Sequence, residues 1–316
     1  MWWKILLFFW ITALTAFAIL TPIAGNLADL AGVAQWSAEK TIPVRFTVED
    51  PGLAADDGGW LVTGKDAHGR SAQFHFEEKP LGIENAEGYL AVARYDGERH
   101  RVEVTRVLGE YPAWAFPFIP GLEERAKIIF FHVPMSWMTV VAFMVSMWYG
   151  IRYLRKKDME DDFRSAVSAG LGLLFCILAT TTGALWAKFN WGAFWNWDPR
   201  QTSIFVLLLV YGAYFALRSA IDVDEKRATL SAVYSIIAAV TVPFFIFIMP
   251  RIMPGLHPGS ADDTGSGPVF SSGMDALMRV VLYSMLLGFL VLYGWMMRIQ
   301  TRLHRISQKR ADTALS

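Results

Sequence analysis

Six long apolar runs constrain this chain more than any other feature of its sequence. They lie at about residues 1–23, 127–151, 165–186, 201–220, 229–250 and 274–297. About 20 consecutive apolar residues are enough for a helix to span the hydrocarbon core of a bilayer. Hydrophobic residues make up 54% of the 316 residues, charged residues make up 18%, and the mean hydropathy is +0.32. The sequence therefore predicts an all-α polytopic membrane protein with six transmembrane helices in a lipid bilayer.

Basic residues between these runs predict the orientation of the chain. The 152–164 loop, the 218–227 turn and the C-terminal tail are rich in Lys and Arg, whereas the opposite connections carry few of them close to the membrane. Lys and Arg favour the cytoplasmic side. Both termini are therefore expected in the cytoplasm and the other connections on the opposite side. In a Gram-negative bacterium that side is the periplasm, and the predicted location is the bacterial inner membrane. The net charge of zero gives no indication of a nucleic-acid partner.

Residues 38–108 interrupt the helical pattern. Short runs with period-two alternation, separated by Gly- and Asp-rich turns, predict five strands: Thr41–Val48, Trp60–Thr63, Ser71–Phe76, Gly88–Tyr95 and Arg101–Val107. Such strands favour a small β-barrel or sandwich, predicted as a periplasmic β insertion between helices one and two. The predicted divisions are a first helix and exit, the β insertion, a five-helix membrane domain and a basic cytoplasmic tail, at residues 1–37, 38–108, 109–300 and 301–316.

The cysteine and histidine content limits the metal sites that the chain can offer. A single thiol, Cys176, excludes an intramolecular disulfide, a Cys-rich zinc site and an iron–sulfur cluster. No Cys-x-x-Cys-His motif is present for covalent heme attachment. We expect Cys176 to be a small buried residue. Four of the six histidines show no metal-ligand pattern and are expected to be solvated: His68, His75, His100 and His304.

A dense group of aromatic residues follows the third apolar run. Four aromatic side chains fall within seven residues of a Trp-rich loop at 186–203: Trp191, Phe194, Trp195 and Trp197. Trp and Tyr are common at membrane interfaces, so ordinary interfacial residues are the alternative interpretation. The density of rings favours instead a flat apolar surface on the outer side of the membrane, on which a planar apolar ligand could lie.

The two remaining histidines are predicted on the same side as this aromatic group. His132 lies near the outer end of the second helix, and His257 lies in the loop after the fifth helix. Each alone could be a packed imidazole or a loop residue. Together, beside an aromatic surface, they favour heme, because neutral imidazole is a common axial ligand of heme iron. Four cations on this side are candidates to meet the heme propionates: Arg125, Lys188, Arg200 and Arg251.

Two polar segments are typical of helix starts. Asp198 is followed by Pro199 and then by Gln201 at the third helical position, which predicts a capping box. Because a carboxylate would repel propionates, we assign Asp198 a role in orienting the loop. Residues 272–275 (SGMD) similarly predict the capping box of the sixth helix.

Two segments of the sequence resemble those of a known family. Residues 191–203 (WGAFWNWDPRQTS) resemble the tryptophan-rich signature of heme-handling membrane proteins of cytochrome c biogenesis. Residues 132–137 (HVPMSW) are similar to the branch called heme exporter protein C, or cytochrome c maturation protein C. Three features depart from the family pattern: Phe194 stands where Trp is more common, Pro199 also occurs in synthetase-type relatives, and the β insertion replaces a short loop.

The resemblance implies a function and a set of site residues. A member of this family would bind heme b non-covalently and transiently at its periplasmic surface and present it to a periplasmic heme chaperone. It would work beside an ATP-binding-cassette cytochrome c maturation complex and carry out no bond chemistry by itself. The resemblance implies that His132 and His257 are the axial ligands. It implies that the surrounding heme surface includes Trp191, Trp195, Trp197 and Asp198. Phe194, as a ring of the same loop, and Arg200, as a cation on the same side, are further candidate heme-binding residues.

Three other functions remain as alternatives. A subunit of a synthetase-type cytochrome c heme lyase would be an enzyme, but that class needs further histidines within the membrane. A permease for heme or another solute would need charged residues at mid-bilayer or a pair of broken helices. A b-type redox protein would hold its heme inside the bundle. A docking surface for the chaperone or the apocytochrome is our hypothesis for the β insertion.

Overall fold

The computed structural model describes residues 2–257, 260–261 and 274–315. The chain forms two compact units, one of Met1–Thr15 with Lys127–Ser316 and one of Ala16–Ala126. In chain order, the elements are α1 (Trp2–Leu20), β1 (Ile23–Ala24), α2 (Leu27–Ala34), β2 (Ile42–Ala54), β3 (Trp60–Lys65), β4 (Ser71–Phe76), β5 (Gly88–Asp96), β6 (Arg101–Glu110), β7 (Phe116–Pro117), a 3-10 turn (Glu123–Ile128), α3 (Ile129–Lys156), α4 (Met159–Trp191), α5 (Pro199–Ser219), α6 (Asp224–Pro243), a π turn (Phe244–Ile248), α7 (Met249–Ile252) and α8 (Ala276–Leu315).

Six helical segments of the described residues are long and apolar enough to cross a membrane, as the sequence predicted. Their outward faces are apolar: Val240, for example, is 69% exposed and Ile237 is 64% exposed. Large exposed apolar surface of this kind is expected where lipid is the solvent. The last helix continues to Leu315, so the basic tail extends α8. Ser272, the first residue of the predicted capping box of this helix, lies outside the described residues.

The helical unit is held together by close contacts between α3, α4 and α5. The Phe143 ring stacks on Tyr211 with centroids 3.3 Å apart. A Cβ added at Gly172 would lie 2.5 Å from that phenyl ring, so only glycine allows α4 to approach α3 this closely. Cys176 is free and fully buried beside this core, as predicted. At the other end of α5, Arg218 forms a bidentate ion pair with Asp162, at 2.7 and 2.9 Å.

The insertion between α1 and α3 folds as a closed five-stranded barrel with strand order β2-β3-β4-β6-β5. β4 and β6 are parallel, and the other neighbouring pairs are antiparallel. The predicted strands are confirmed, and the choice left open between sandwich and barrel is settled as a barrel. Phe46 and Phe74 stack in its centre with centroids 3.6 Å apart. A Cβ at Gly64 would lie 2.5 Å from Phe46, so this strand position must remain glycine.

The expectation of a solvated histidine was wrong for His75. Its side chain is 14% exposed, and its Nδ1 lies 2.8 Å from Glu103. Arg101 donates to both Glu103 and Asp57, so a small polar network joins β6 to the β2–β3 turn. Burial raises the pKa of Glu103, but the hydrogen bonds from His75 and Arg101 outweigh it and leave that pKa lowered.

The two ends of the insertion are joined to each other. β1 and β7 pair in parallel, with Ile23 opposite Phe116. The Phe116 N–H donates to the carbonyl of Pro22 at 2.8 Å. The chain therefore enters and leaves the insertion at neighbouring positions.

Candidate functional site

The Trp-rich loop is shaped by two left-handed backbone positions. Gly192 ends α4 with φ +82°, and Trp197 adopts φ +56° immediately before α5. A non-glycine residue in this region is uncommon and indicates a conformation that its surroundings impose. The Gln201 side chain accepts from the Asn196 N–H at 2.8 Å and donates to the Phe194 carbonyl at 3.2 Å. Gln201 thus holds the loop together and does not complete the predicted capping box.

The aromatic rings do not form one flat surface, contrary to the prediction. They divide into two groups. Trp195 and Trp197 meet edge to face and pack with Phe205. Trp191 instead meets Trp186 edge to face, with an interplanar angle of 82°. Phe194 is 56% exposed.

Trp186 and Trp191 form a pocket wall around the His257 imidazole. The His257 ring lies 5.8 Å from Trp186 in a stacked orientation and 4.6 Å from Trp191 in a T-shaped one. His257 itself is 20% exposed at its side chain. The buried indole N–H of Trp186 has no hydrogen-bond partner among the described residues. This part of the loop therefore combines an apolar wall, a hydrogen-bond donor and an imidazole.

Asp198 fixes the position of His257. One carboxylate oxygen accepts from the Arg200 N–H at 2.8 Å, which makes Asp198 the N-cap of α5, and from His257 Nδ1 at 2.7 Å. The other oxygen accepts from the Leu256 N–H at 2.7 Å. Gly255 allows this approach, because a Cβ there would lie 2.7 Å from the carboxylate. The orienting role predicted for Asp198 thus extends to a second loop. Its residues Leu256 and His257 lie 58 and 59 positions after Asp198 in the chain.

The electrostatics of this contact favour the ionised carboxylate. Asp198 is 4% exposed. Burial raises its pKa, but the hydrogen bond and charge of His257, with the two backbone N–H groups, outweigh burial and lower the pKa to about 2. With a carboxylate acceptor at Nδ1, the neutral His257 ring carries its proton there, and its Nε2 lone pair remains for a ligand.

His132 is held in an equivalent way on α3. Its Nδ1 lies 3.1 Å from the Thr182 hydroxyl oxygen. That hydroxyl donates its proton to the Leu178 carbonyl at 2.8 Å, so the oxygen acts as acceptor for the His132 Nδ1–H. The Nε2 atom of this imidazole then also carries a lone pair. A Cβ on Gly183 would lie 2.9 Å from the His132 ring, so the small residue is needed for the ring to fit.

His132 and His257 lie close enough to interact electrostatically. Charges on His257 and on Arg200 both act on His132, and the Arg200 guanidinium also interacts with Asp198. Thr182, the partner of His132, lies one helical turn before Trp186, the partner of His257. Of the predicted site residues, His132, His257, Trp191, Asp198 and Arg200 therefore converge, whereas Trp195, Trp197 and Phe194 lie in the other part of the loop.

Three of the predicted propionate cations already bind backbone carbonyls. Lys188 donates to Gly192 and lies over the Phe194 ring, and Arg251 donates to Phe247. Arg125 donates to the carbonyls of residues 121 and 122. Arg200 is the predicted cation that lies beside both Asp198 and His132.

Sequence reasoning missed three contributors to the site. Trp186 begins the predicted Trp-rich loop but was not named as a site residue, and Thr182 and Gly255 were not singled out. Thr182 could have been found from the helical period, because it shares a face of α4 with Trp186. Gly255 carries no local signal, since its requirement arises from Asp198 on a different helix.

Comparison with known proteins identifies the family. A family model described as heme exporter protein C matches residues 113–316, which include His132, the Trp-rich loop and His257. The chain belongs to the heme exporter protein C family. The resemblance predicted from residues 132–137 and 191–203 is thereby confirmed, and the chain is a multi-pass membrane protein of a cytochrome c biogenesis family. The barrel precedes the matched residues.

Several relatives in this family carry the same name. Heme exporter protein C of Paracoccus denitrificans is 30% identical over 191 residues, which are 60% of this chain and 78% of that protein. The protein of Bradyrhizobium diazoefficiens is 29% identical over 167 residues, 53% of this chain and 62% of its own length, just under two thirds. The Escherichia coli protein is 29% identical over 190 residues, 57% of this chain and 71% of its own.

Proposed function

We propose that this chain binds heme b non-covalently between His132 and His257, holds it at the periplasmic surface, and presents it to a periplasmic heme chaperone for cytochrome c assembly. The observation that carries the proposal is the pair of imidazoles whose Nδ1 atoms each face a hydrogen-bond acceptor, Thr182 and Asp198. Iron-binding histidines are characteristically oriented by such a bond. Membership of the heme exporter protein C family supports heme as the ligand.

The residues around the two histidines fit a porphyrin. Trp186 and Trp191 offer apolar ring surface beside His257, and the unpartnered indole N–H of Trp186 can donate to a ligand oxygen. Arg200 supplies a positive charge for a propionate. When bound, heme would supply an iron atom that the imidazoles of His132 and His257 can ligate. The protein positions and shields it, and performs no bond chemistry of its own.

The distribution of basic residues supports the orientation that this function needs. The α3–α4 loop, the α5–α6 turn and the end of α8 carry most of the Lys and Arg close to the spans. By the positive-inside rule these parts face the cytoplasm, with both termini, and the histidine site faces the periplasm of a bacterial inner membrane. The partners would be the heme chaperone and an ATP-binding-cassette cytochrome c maturation complex. The barrel would be a docking surface for one of the periplasmic proteins.

The proposal is tested by purifying the full chain from heme-replete membranes and recording its visible spectrum. We expect a Soret band in the parent and at least a tenfold loss of heme per protein in His132→Ala and His257→Ala, because each removes an iron ligand. Added imidazole should restore heme to both variants, which a purely structural role would not produce. His68→Ala, at an exposed barrel position, should match the parent. Full heme content in both ligand variants would refute the assignment.

A further inference from the structure

A basic cavity lies at the end of the helical unit away from His132. Its volume is about 590 Å³. It is lined by residues of α3, α4 and α8: Tyr149, Arg164, Met297, Arg298, Thr301, Arg302 and Arg305. His132 and Tyr149 lie on the same helix, about 25 Å apart along its axis at 1.5 Å per residue. The cavity is therefore separate from the histidine site.

The charges around the cavity are unbalanced. Glu160 pairs with Arg164 at 2.5 Å and with Arg305. Asp161 lies 3.9 Å from Arg164 and is also paired with Arg152, at 3.2 Å. Within the described residues, Arg298 and Arg302 have no ion-pair partner. The four arginines of the lining thus outnumber the two carboxylates paired with them, in a concave surface where the positive potential is focused and attracts an anion.

The chemistry of the lining favours a phosphate group. Arg298, Arg302 and Arg305 follow one another at spacings of four and three residues, so their guanidinium groups project from one face of α8. A guanidinium presents paired N–H donors that match two oxygens of a phosphate. Arg164 lines the cavity from α4 and brings a further guanidinium donor to it.

The surroundings favour a phospholipid as the source of this phosphate. Leu287 and Val291 lie on the same face of α8 as Arg298 and Arg302, and they are 49% and 36% exposed. This face is therefore apolar along the span and basic at its end, which matches the acyl chains and the headgroup of a lipid. Trp148, next to Tyr149, is 59% exposed, as expected of a side chain at a membrane interface.

We propose that this cavity binds the phosphate headgroup of an anionic phospholipid, with Arg298 and Arg302 as the principal contacts. Basic pockets between transmembrane helices are suited to such headgroups. The bound lipid would bridge α4 and α8 through Arg164 and the α8 arginines. This binding site goes beyond the heme function and does not depend on it.

The test measures binding of dioctanoyl phosphatidylglycerol and dioctanoyl phosphatidylcholine to the purified full chain, with native mass spectrometry of lipids retained in mild detergent. Each basic residue at an anionic lipid surface contributes about a factor of five. Arg298→Gln/Arg302→Gln should therefore bind phosphatidylglycerol about 25-fold more weakly. The matched control Arg155→Gln/Arg310→Gln removes the same charge at exposed positions outside the cavity lining and should bind like the parent.

Each other outcome overturns the proposal. Equal affinity for the two lipids would show that the headgroup charge is not recognised. Equal losses in both double variants would show a general effect of charge. Inorganic phosphate or glycerol 3-phosphate binding as tightly as the lipid would identify a soluble phosphate as the ligand. An unchanged circular dichroism spectrum and thermal unfolding of Arg298→Gln/Arg302→Gln confirm that it is folded.

Discussion

Asp198 determines the geometry of the loop that carries His257. Its two oxygens accept from three donors, of which two, Leu256 and His257, belong to that loop. Hydrogen bonds to an ionised group in a buried place are stronger than neutral ones. A single carboxylate therefore caps α5 and orients an imidazole at the same time.

Asp198→Asn should separate these two roles. Asparagine can still cap α5 through its single carbonyl oxygen, but its amide group would face the Leu256 N–H as a second donor. We expect heme content to fall by about 10- to 100-fold, as for other residues that orient a metal ligand, with His132 and His257 both present. The control Asp222→Asn, at an exposed position, should retain heme.

The same variant should show a defined pH dependence of stability. The Asp198 pKa is about 2 in the folded protein against 3.8 for an ordinary aspartate. A lowered pKa stabilises the fold above pH 3.8, and this stabilisation is lost as the pH falls through about 2. The difference in thermal unfolding between parent and Asp198→Asn should be fully present at pH 5 and should shrink below about pH 4. A difference that vanished near neutral pH would contradict this.

At the scale of helices, α4 and α5 are tied by the ion pair between Asp162 and Arg218. Their side chains are 5% and 15% exposed. Both carboxylate oxygens of Asp162 are used, one by each terminal nitrogen of Arg218. Removing one partner of such a pair leaves an uncompensated charge, which costs about 3–5 kcal/mol in buried pairs.

Asp162→Ala should therefore lower the free energy of unfolding by about 3 kcal/mol or more, measured by denaturation in detergent micelles. The control is Asp224→Ala, because Asp224 pairs with Arg227 while 69% exposed. An exposed pair contributes about 0–1 kcal/mol. Similar losses in the two variants would show that burial does not decide the strength of the α4–α5 contact.

The helices and strands could be predicted from the sequence, because each depends on a local pattern. The apolar runs are long enough to span, and the alternation in residues 38–108 has the period of strands. The closure of β2 on β5 could not be predicted, since it joins Ile42 to Ala93 across the barrel. His75 was misplaced for the same reason, because its partner Glu103 lies on a different strand.

The sequence indicated which residue types the candidate site contains. It did not predict the arrangement of the aromatic rings. Residue spacing places four rings close together but does not determine their orientations, which follow from the left-handed turn at Trp197 and from Gln201. Local pattern identified Asp198 as a helix cap. Its contact with His257 could not be read from the sequence, because it spans 59 residues.

For the whole molecule, the barrel lies outside the residues that the family model matches. The family match begins at residue 113, after the last barrel strand. All the residues that converge on the proposed heme site lie in the matched part. The pairing of β1 with β7 closes the insertion at its base.

Replacing residues 40–108 by a short Gly-Ser linker should leave heme content within about twofold of the parent, because no proposed ligand is removed. Heme transfer to the chaperone should fall at least tenfold if the barrel docks a periplasmic partner. Optical spectra measure the first quantity, and time-resolved transfer to purified chaperone measures the second. Loss of heme would contradict the independence of the site, and normal transfer would contradict the docking role.

The burial of Cys176 makes the natural chain a suitable background for thiol labelling. Cys176 is the single cysteine in the sequence, and its side chain is fully buried among the helices. A membrane-impermeant maleimide added to intact cells would therefore report only on a cysteine introduced elsewhere. In the orientation proposed above, this reagent would label a cysteine placed at Gly97, in the turn between β5 and β6, and would not label one placed at Arg155, in the last turn of α3.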